Sequence, residues 1–286
     1  MSELFAFLVT GVTVGFVYAL VGLGFSVIYN SSSIINFAQG EFLMAGGMIS
    51  VFLLPHFPYP VSAILAVLIT SLLGVLLWKL IDLSKSSSQV ALIILTLGYS
   101  IALRGLAEVV FDKELHTLPP IKSGSIEIFG AVVSYQTLII ISVSILIVVL
   151  LWLFFEKTLL GKAVRAVSIN RDSAKLMGIS IKMVLAINFA IASAIAGVGG
   201  ILLTPITSTN YEVGIMLGLK GFAASIIGGL SNPFGAVVGG VILGVVESLV
   251  AGYISSEYKD AVAFLIMLGI LFFHPSGLFS KAKSRV

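Results

Sequence analysis

Nine apolar runs follow one another along this chain, at 4–29, 34–54, 60–81, 89–111, 134–155, 183–204, 213–230, 233–254 and 260–273. About 20 apolar residues in a row are enough for a helix to cross a bilayer core. A transmembrane barrel would instead show shorter segments of strict alternation, and the unbroken run from Ile139 to Leu151 excludes that. The pattern predicts an all-α, polytopic membrane protein with eight or nine crossings, forming one domain over residues 1–286. Some runs depart from the ideal. The second carries Asn36, Gln39, Gly40 and Glu41, the seventh is short and holds Lys220, and the last is short. Such runs are candidates for re-entrant or broken helices, which a membrane tolerates only where protein or a water-filled cavity surrounds them.

One polar interruption is strongly basic. It lies between Glu156 and Lys182, and its centre reads GKAVRAVSINRDSAKLMGIS, Gly161 to Ser180. A charged insert of this length must lie in water. It reads as two short helices or one bent helix. Asn170 is placed to cap the second part, with Asp172 near its positive end, and Gly178 suits the position just past a helix. Val164 and Val167 fall on one face and Lys162 and Arg165 on another; Ala174 and Met177 oppose Arg171 and Lys175. The expectation is a short amphipathic rod with a basic ridge, parallel to the membrane, that meets a soluble partner. The competing reading is an ordinary basic loop resting on anionic lipid.

Composition agrees with the pattern. Apolar residues make up 58% of the chain and charged residues 10%, against about 25% charged in a soluble domain. The net charge of +3 says nothing of nucleic acid, because Lys and Arg follow topology. If all nine runs cross and the basic segment is cytoplasmic, eleven Lys and Arg lie inside, among them Lys281, Lys283 and Arg285 of the tail. Only Lys113, Lys122 and Lys259 lie outside. That ratio places the N-terminus outside and the C-terminus in the cytoplasm. Met1-Ser2-Glu3 lacks a basic leader region, so the first run is expected to be retained. Cysteine is absent, and no phosphate-binding loop, H-E-x-x-H or other catalytic or metal-binding set is found. The chain is therefore not expected to be an enzyme or to bind a cofactor itself.

Glycine is abundant and recurs at GxxxG spacing, as at Gly11 and Gly15, Gly214 and Gly218, Gly235 and Gly239, and Gly240 and Gly244. Small residues at that spacing let helices pack closely in lipid. Polar residues inside spans are costly and must face protein or water. Asn36 and Gln39 share a helical face while Glu41 lies well round from both. These three, with Lys220, are candidates for a pathway lining or a helix break, with inter-helix hydrogen bonding as the simpler role. Glu41, Glu212 and Glu247 are candidate partners for Lys220, and Arg104 has Glu108 four residues on. No internal repeat is evident by eye.

Four stretches carry a resemblance. Gly161 to Ile179 resembles the coupling segment of ATP-binding-cassette permeases of the branched-chain amino acid family. Gly15 to Gly47, with I-N-F-A-Q-G-E at 35–41, resembles that family's N-terminal signature, and Gly218 to Glu247 its C-terminal one. Phe273 to Phe279, FHPSGLF, resembles its terminal R-P-x-G-L-F element, with His274 where Arg is usual. The resemblance implies an ABC importer permease fold of the shorter, high-affinity subunit type in a prokaryotic inner membrane. It implies a coupling segment at about 157–181, with Arg165, Asn170, Arg171, Asp172, Lys175 and Gly178 facing the motor. Two ATPase subunits carrying ATP and Mg would dock there. A homologous second permease subunit, or a second copy, would complete the pathway, and an extracytoplasmic binding protein would deliver the substrate. Branched-chain amino acids are the expected cargo; urea, short amides or another small organic solute are the alternatives within the family. A stand-alone secondary transporter or channel is the alternative from another class.

Overall fold

The computed structural model describes residues 2–86 and 88–279; the basic tail with Lys281, Lys283 and Arg285 lies outside the described residues. Each of the nine apolar runs coincides with a helix. In chain order these are α1 (Ser2–Ser32), α2 (Gln39–Leu53), α3 (Tyr59–Ser84), α4 (Gln89–Phe111) and α5 (Tyr135–Lys157), then α6 (Leu159–Ile169) and α7 (Arg171–Leu176) in the basic interruption. After them come α8 (Ile181–Thr207), α9 (Val213–Gly228), α10 (Pro233–Tyr253) and α11 (Lys259–Phe273). Six helices, α1, α3, α4, α5, α8 and α10, are long and apolar enough to cross a membrane unaided. A feature the apolar pattern does not announce lies before α5. The strands β1 (Ser125–Ile128) and β2 (Ala131–Ser134) form an antiparallel hairpin. Its two-residue turn has positive φ at both Phe129 and Gly130, the handedness that matches strand twist.

Contacts fix which helix ends lie together. At one end, Phe5 of α1 stacks edge-on against Phe129 of the hairpin turn, and Phe52 of α2 against Phe111 of α4. At the other end, Arg171 of α7 bonds to Ser31 of α1, and Lys182 of α8 to Asp82 of α3. Helices therefore alternate in direction between a hairpin end and an α6–α7 end.

Two of them do so incompletely. α2 has 15 residues and α9 has 16, roughly 22–24 Å of helix against a hydrocarbon core of about 30 Å. Each is preceded by non-helical chain that runs back into the bundle, at 33–38 and 208–212. The second apolar run thus begins extended rather than helical, and Asn36 supplies the reason. Its Oδ1 accepts the N–H of Ala38 at 3.1 Å, a local bond that competes with helix. Asn210 makes the same turn before α9, its Oδ1 accepting the N–H of Glu212 at 3.1 Å.

The likeness between these two turns extends through the fold. Asn36, Gly40, Leu43 and Gly47 recur at identical spacing as Asn210, Gly214, Leu217 and Gly221. α1 packs chiefly on α10 while α3 packs on α8; α2 lies on α8 while α9 lies on α1. Exchanging α1–α2–α3 with α8–α9–α10 leaves that pattern unchanged, and the two half-length helices run in opposite directions from a common point. This is an inverted repeat of the kind transporters carry. Reading by eye misses it because only the turn and its glycines persist in sequence.

Glycine makes the core possible. A Cβ on Gly15 of α1 would sit 2.8 Å from Val241 Cα of α10, and one on Gly244 would sit 2.4 Å from Gly15 Cα. The expected GxxxG pairs thus pack inside the chain, Gly11 and Gly15 against Gly240 and Gly244.

Candidate functional site

The basic interruption folds as two helices with a sharp break between them. Thr158 Oγ1 accepts the N–H of Gly161 at 2.9 Å and starts α6. Asn170, in extended conformation, ends α6 and caps α7 through Ser173 N–H at 3.0 Å. Gly178 closes α7 at φ +81°, with Ile179 N–H donating to Ala174 O at 3.1 Å, the bonding of a Schellman ending. Ser180 Oγ then caps α8 by accepting the N–H of Met183 at 3.4 Å. Four consecutive caps make this a folded element rather than a loose loop.

Val164, Val167 and Ala174 are buried together with Val184 of α8, and Phe155 and Ile179 pack beside them. Met177 does not join them: it is 82% exposed, because Gly178 turns the chain before the helical face reaches it. Nor do the two arginines form a free ridge. Arg165 pairs with Glu156 of α5, and Arg171 Nη2 donates to Ser31 O of α1 at 2.8 Å. The element also offers apolar side chains outward, beside exposed Lys162 and Arg171. Ile169 is 86% exposed and Leu176 89%, with exposed Asp172 and Lys175 between them. The signal was present in the sequence as apolar residues off the Val164–Val167–Ala174 face.

A second polar region lies where α2 and α9 begin. A Cβ on Gly40 would meet Gly214 O at 2.0 Å, so the two helix starts touch. Gln39 turns to α8 and donates from Nε2 to Ala192 O at 2.9 Å, with Asn36 Nδ2 beside its Oε1 at 3.4 Å. Glu41 turns the other way, to α4. Its Oε1 accepts from Ser100 Oγ and Arg104 Nη2, both at 2.9 Å. Asn36, Gln39 and Glu41 therefore do not line one groove, but the shared helical face expected for Asn36 and Gln39 does not exist, because Asn36 lies in the non-helical turn before α2. The expected Arg104–Glu108 pair does not form. Glu41 is only 2% exposed and must be compensated, whereas Glu108 near the helix end pairs with Lys113 at 2.7 Å.

Lys220 chooses Glu247 among its three candidates, at 3.1 Å, and adds Asp260 of α11 at 2.6 Å. Tyr18 OH donates to Glu247 Oε2 at 2.7 Å. This cluster ties α1, α9, α10 and α11 together, and Lys220 is separate from the Glu41 group. Beside Glu41, Ser100 and Arg104 is a cavity of about 120 Å³, walled by apolar side chains including Phe25, Phe37 and Phe222. Its rim between α4 and α9 carries Leu97, Ile215 and Leu219, each 40–43% exposed.

Residues 7–271 match the family model described as branched-chain amino acid transport system / permease component. The chain belongs to that family. It is 31% identical to the high-affinity branched-chain amino acid transport system permease protein LivH of Salmonella typhimurium, over 99% of both chains. It is 30% identical to the corresponding permease protein BraD of Pseudomonas aeruginosa, again over 99% of both. A probable LivH of Methanocaldococcus jannaschii is 28% identical over 91% of this chain and 87% of its own. Among solved structures, PsaBC from Streptococcus pneumoniae in complex with Fab has the same fold, with TM-score 0.52 and 17% identity over 96% of this chain and 93% of that one.

Proposed function

We propose that this chain is the membrane-spanning permease subunit of an ATP-driven importer of branched-chain amino acids in a prokaryotic inner membrane. The observation that carries the reading is the α6–α7 element. It is capped at every junction, packed through Val164, Val167 and Ala174, and presents Ile169, Leu176 and Met177 to its surroundings. Exposed apolar side chains grouped on one element mark a surface that meets a protein or a membrane, and the exposed Asp172 between them favours a protein over anionic lipid. Two ATPase subunits holding ATP and Mg dock there, with Lys175 and Asp172 at the contact. The α6–α7 end then lies in the cytoplasm with the C-terminus, and the hairpin end lies outside, where a binding protein delivers substrate.

The cavity beside Glu41 supports a second permease subunit, homologous or a second copy. Its lining residues Leu97 of α4 and Ile215 and Leu219 of α9 are partly exposed, and a buried ion pair does not face lipid without cost. A partner laid over Leu97, Ile215 and Leu219 closes that side and makes the cavity part of a shared path. Full-length likeness to two branched-chain amino acid permeases supports the cargo.

Purification of a tagged chain from native membranes tests the reading. ATPase subunits should accompany it, and vesicles holding the purified assembly should take up leucine only with ATP on the α6–α7 side. Uptake by this chain alone without ATP would replace the reading with a stand-alone transporter.

A further inference from the structure

The Glu41–Arg104 pair is incompletely used. Only one carboxylate oxygen is engaged. Among the described residues Glu41 Oε2 and Arg104 Nε are buried without a hydrogen-bond partner, although an arginine and a carboxylate can meet through two parallel bonds. Glu41 Oε2 lies against the start of α9, where a Cβ on Gly214 would be 2.5 Å away. Both half-helices thus direct their positive ends at the region where this pair sits. Beside it is the cavity of about 120 Å³, space for several water molecules or for the head of a small amino acid. Its other walls are apolar, formed by Phe37, Leu97, Ile215 and Phe222 among others.

We propose that this cavity receives the transported solute as a zwitterion, with its carboxylate at Arg104 and the two helix starts, its ammonium at Glu41, and its apolar side chain along Ile215 and Phe222. The inference rests on the importer reading and narrows its cargo. A zwitterion brings one charge of each sign to the carboxylate oxygen and the guanidinium N–H that the Glu41–Arg104 pair leaves unbonded, whereas urea or a short amide brings no charge to either. One polar pole and an apolar wall match an aliphatic α-amino acid. Glu41, Ser100 and Arg104 all line the cavity, and Arg104 remains 27% exposed.

The test uses the intact assembly with its ATPases and binding protein, measuring L-leucine uptake and ATP hydrolysis side by side. Glu41→Gln is expected to lower uptake about ten-fold or more, the loss of one charged hydrogen bond, while ATP hydrolysis stimulated by leucine-loaded binding protein persists. Unchanged uptake overturns the proposal, and so does a parallel loss of uptake and hydrolysis, which marks a purely structural pair. Ile215→Phe provides an independent arm: narrowing the apolar wall should lower the leucine-to-valine uptake ratio about ten-fold, and an unchanged ratio overturns the assigned pose. The unmutated control separates the two claims, because ATP-independent uptake in it defeats the importer reading whatever the variants do.

Discussion

Arg171 of α7 donates from Nη2 to the backbone oxygen of Ser31, 2.8 Å away in the last turn of α1. A cation at a helix C-terminus meets both an unsatisfied carbonyl and the negative end of the helix. The bond has a mechanical consequence. From chain connectivity alone, a load on α6–α7 passes into α5 and α8. Through Arg171 it also reaches α1, the helix that packs on α10 and α9. Arg171→Ala should therefore keep the assembly intact but lower uptake per ATP hydrolysed several-fold, a charged hydrogen bond being worth about 1.5–3 kcal/mol. Parallel assays of transport and hydrolysis check this, and an unchanged ratio of the two would show that the bond transmits nothing.

On the proposed docking surface the exposed apolar side chains Leu176 and Met177 are expected to contribute more than the exposed Lys175. Leu176→Asp or Met177→Asp should remove ATPase subunits from the purified assembly without altering the amount of chain in the membrane. Lys175→Ala should weaken the association less, since an exposed ion pair contributes about 0–1 kcal/mol. Pull-down at matched expression gives the ranking, and a larger effect from Lys175 would restore the basic-ridge view.

Breaking the Glu41 pair from one side should damage the fold more than neutralising it. Arg104→Ala leaves a carboxylate buried with only Ser100 beside it, a loss of about 3–5 kcal/mol for an uncompensated charge. Adding Glu41→Gln should recover part of that loss. Thermal unfolding of the three variants in detergent decides it, and additivity of the single changes would mean that the pair is uncoupled.

Close contact of α1 with α10 admits no side chain. Gly15→Val should prevent correct packing, because even its Cβ would fall 2.8 Å from Val241 Cα. Gly98→Val on α4, where a Cβ meets nothing within 4 Å, should be tolerated. The yield of monodisperse protein distinguishes the two, and equal yields would contradict the packing described.

Periodicity and composition made the helices legible, because a continuous apolar run in lipid has few options besides helix. The caps at Asn170 and Gly178 were legible too, since their roles follow from local chemistry. Partner choice was not. Arg104 and Glu108 are neighbours on one helix, yet the buried Glu41 of another helix takes the arginine, and no local rule anticipates that. Lys220 gained Asp260, a residue at the start of α11 whose proximity depends on how four helices meet. Arg165 and Arg171 looked free on a helical wheel but are held by Glu156 and Ser31, contacts set by where α6 and α7 lie against α5 and α1. The inverted repeat hid for a similar reason: it is conserved as geometry around Asn36 and Asn210 more than as residues.

The absence of cysteine from this sequence makes one measurement direct. Met177→Cys, as the sole thiol, should be modified by a membrane-impermeant maleimide only when the cytoplasmic side is open, and a short bifunctional reagent should join it to an ATPase subunit in native membranes. Modification from the external side of intact cells, or cross-linking to no ATPase subunit at all, would contradict the account that α6–α7 is the element through which ATP hydrolysis drives this permease.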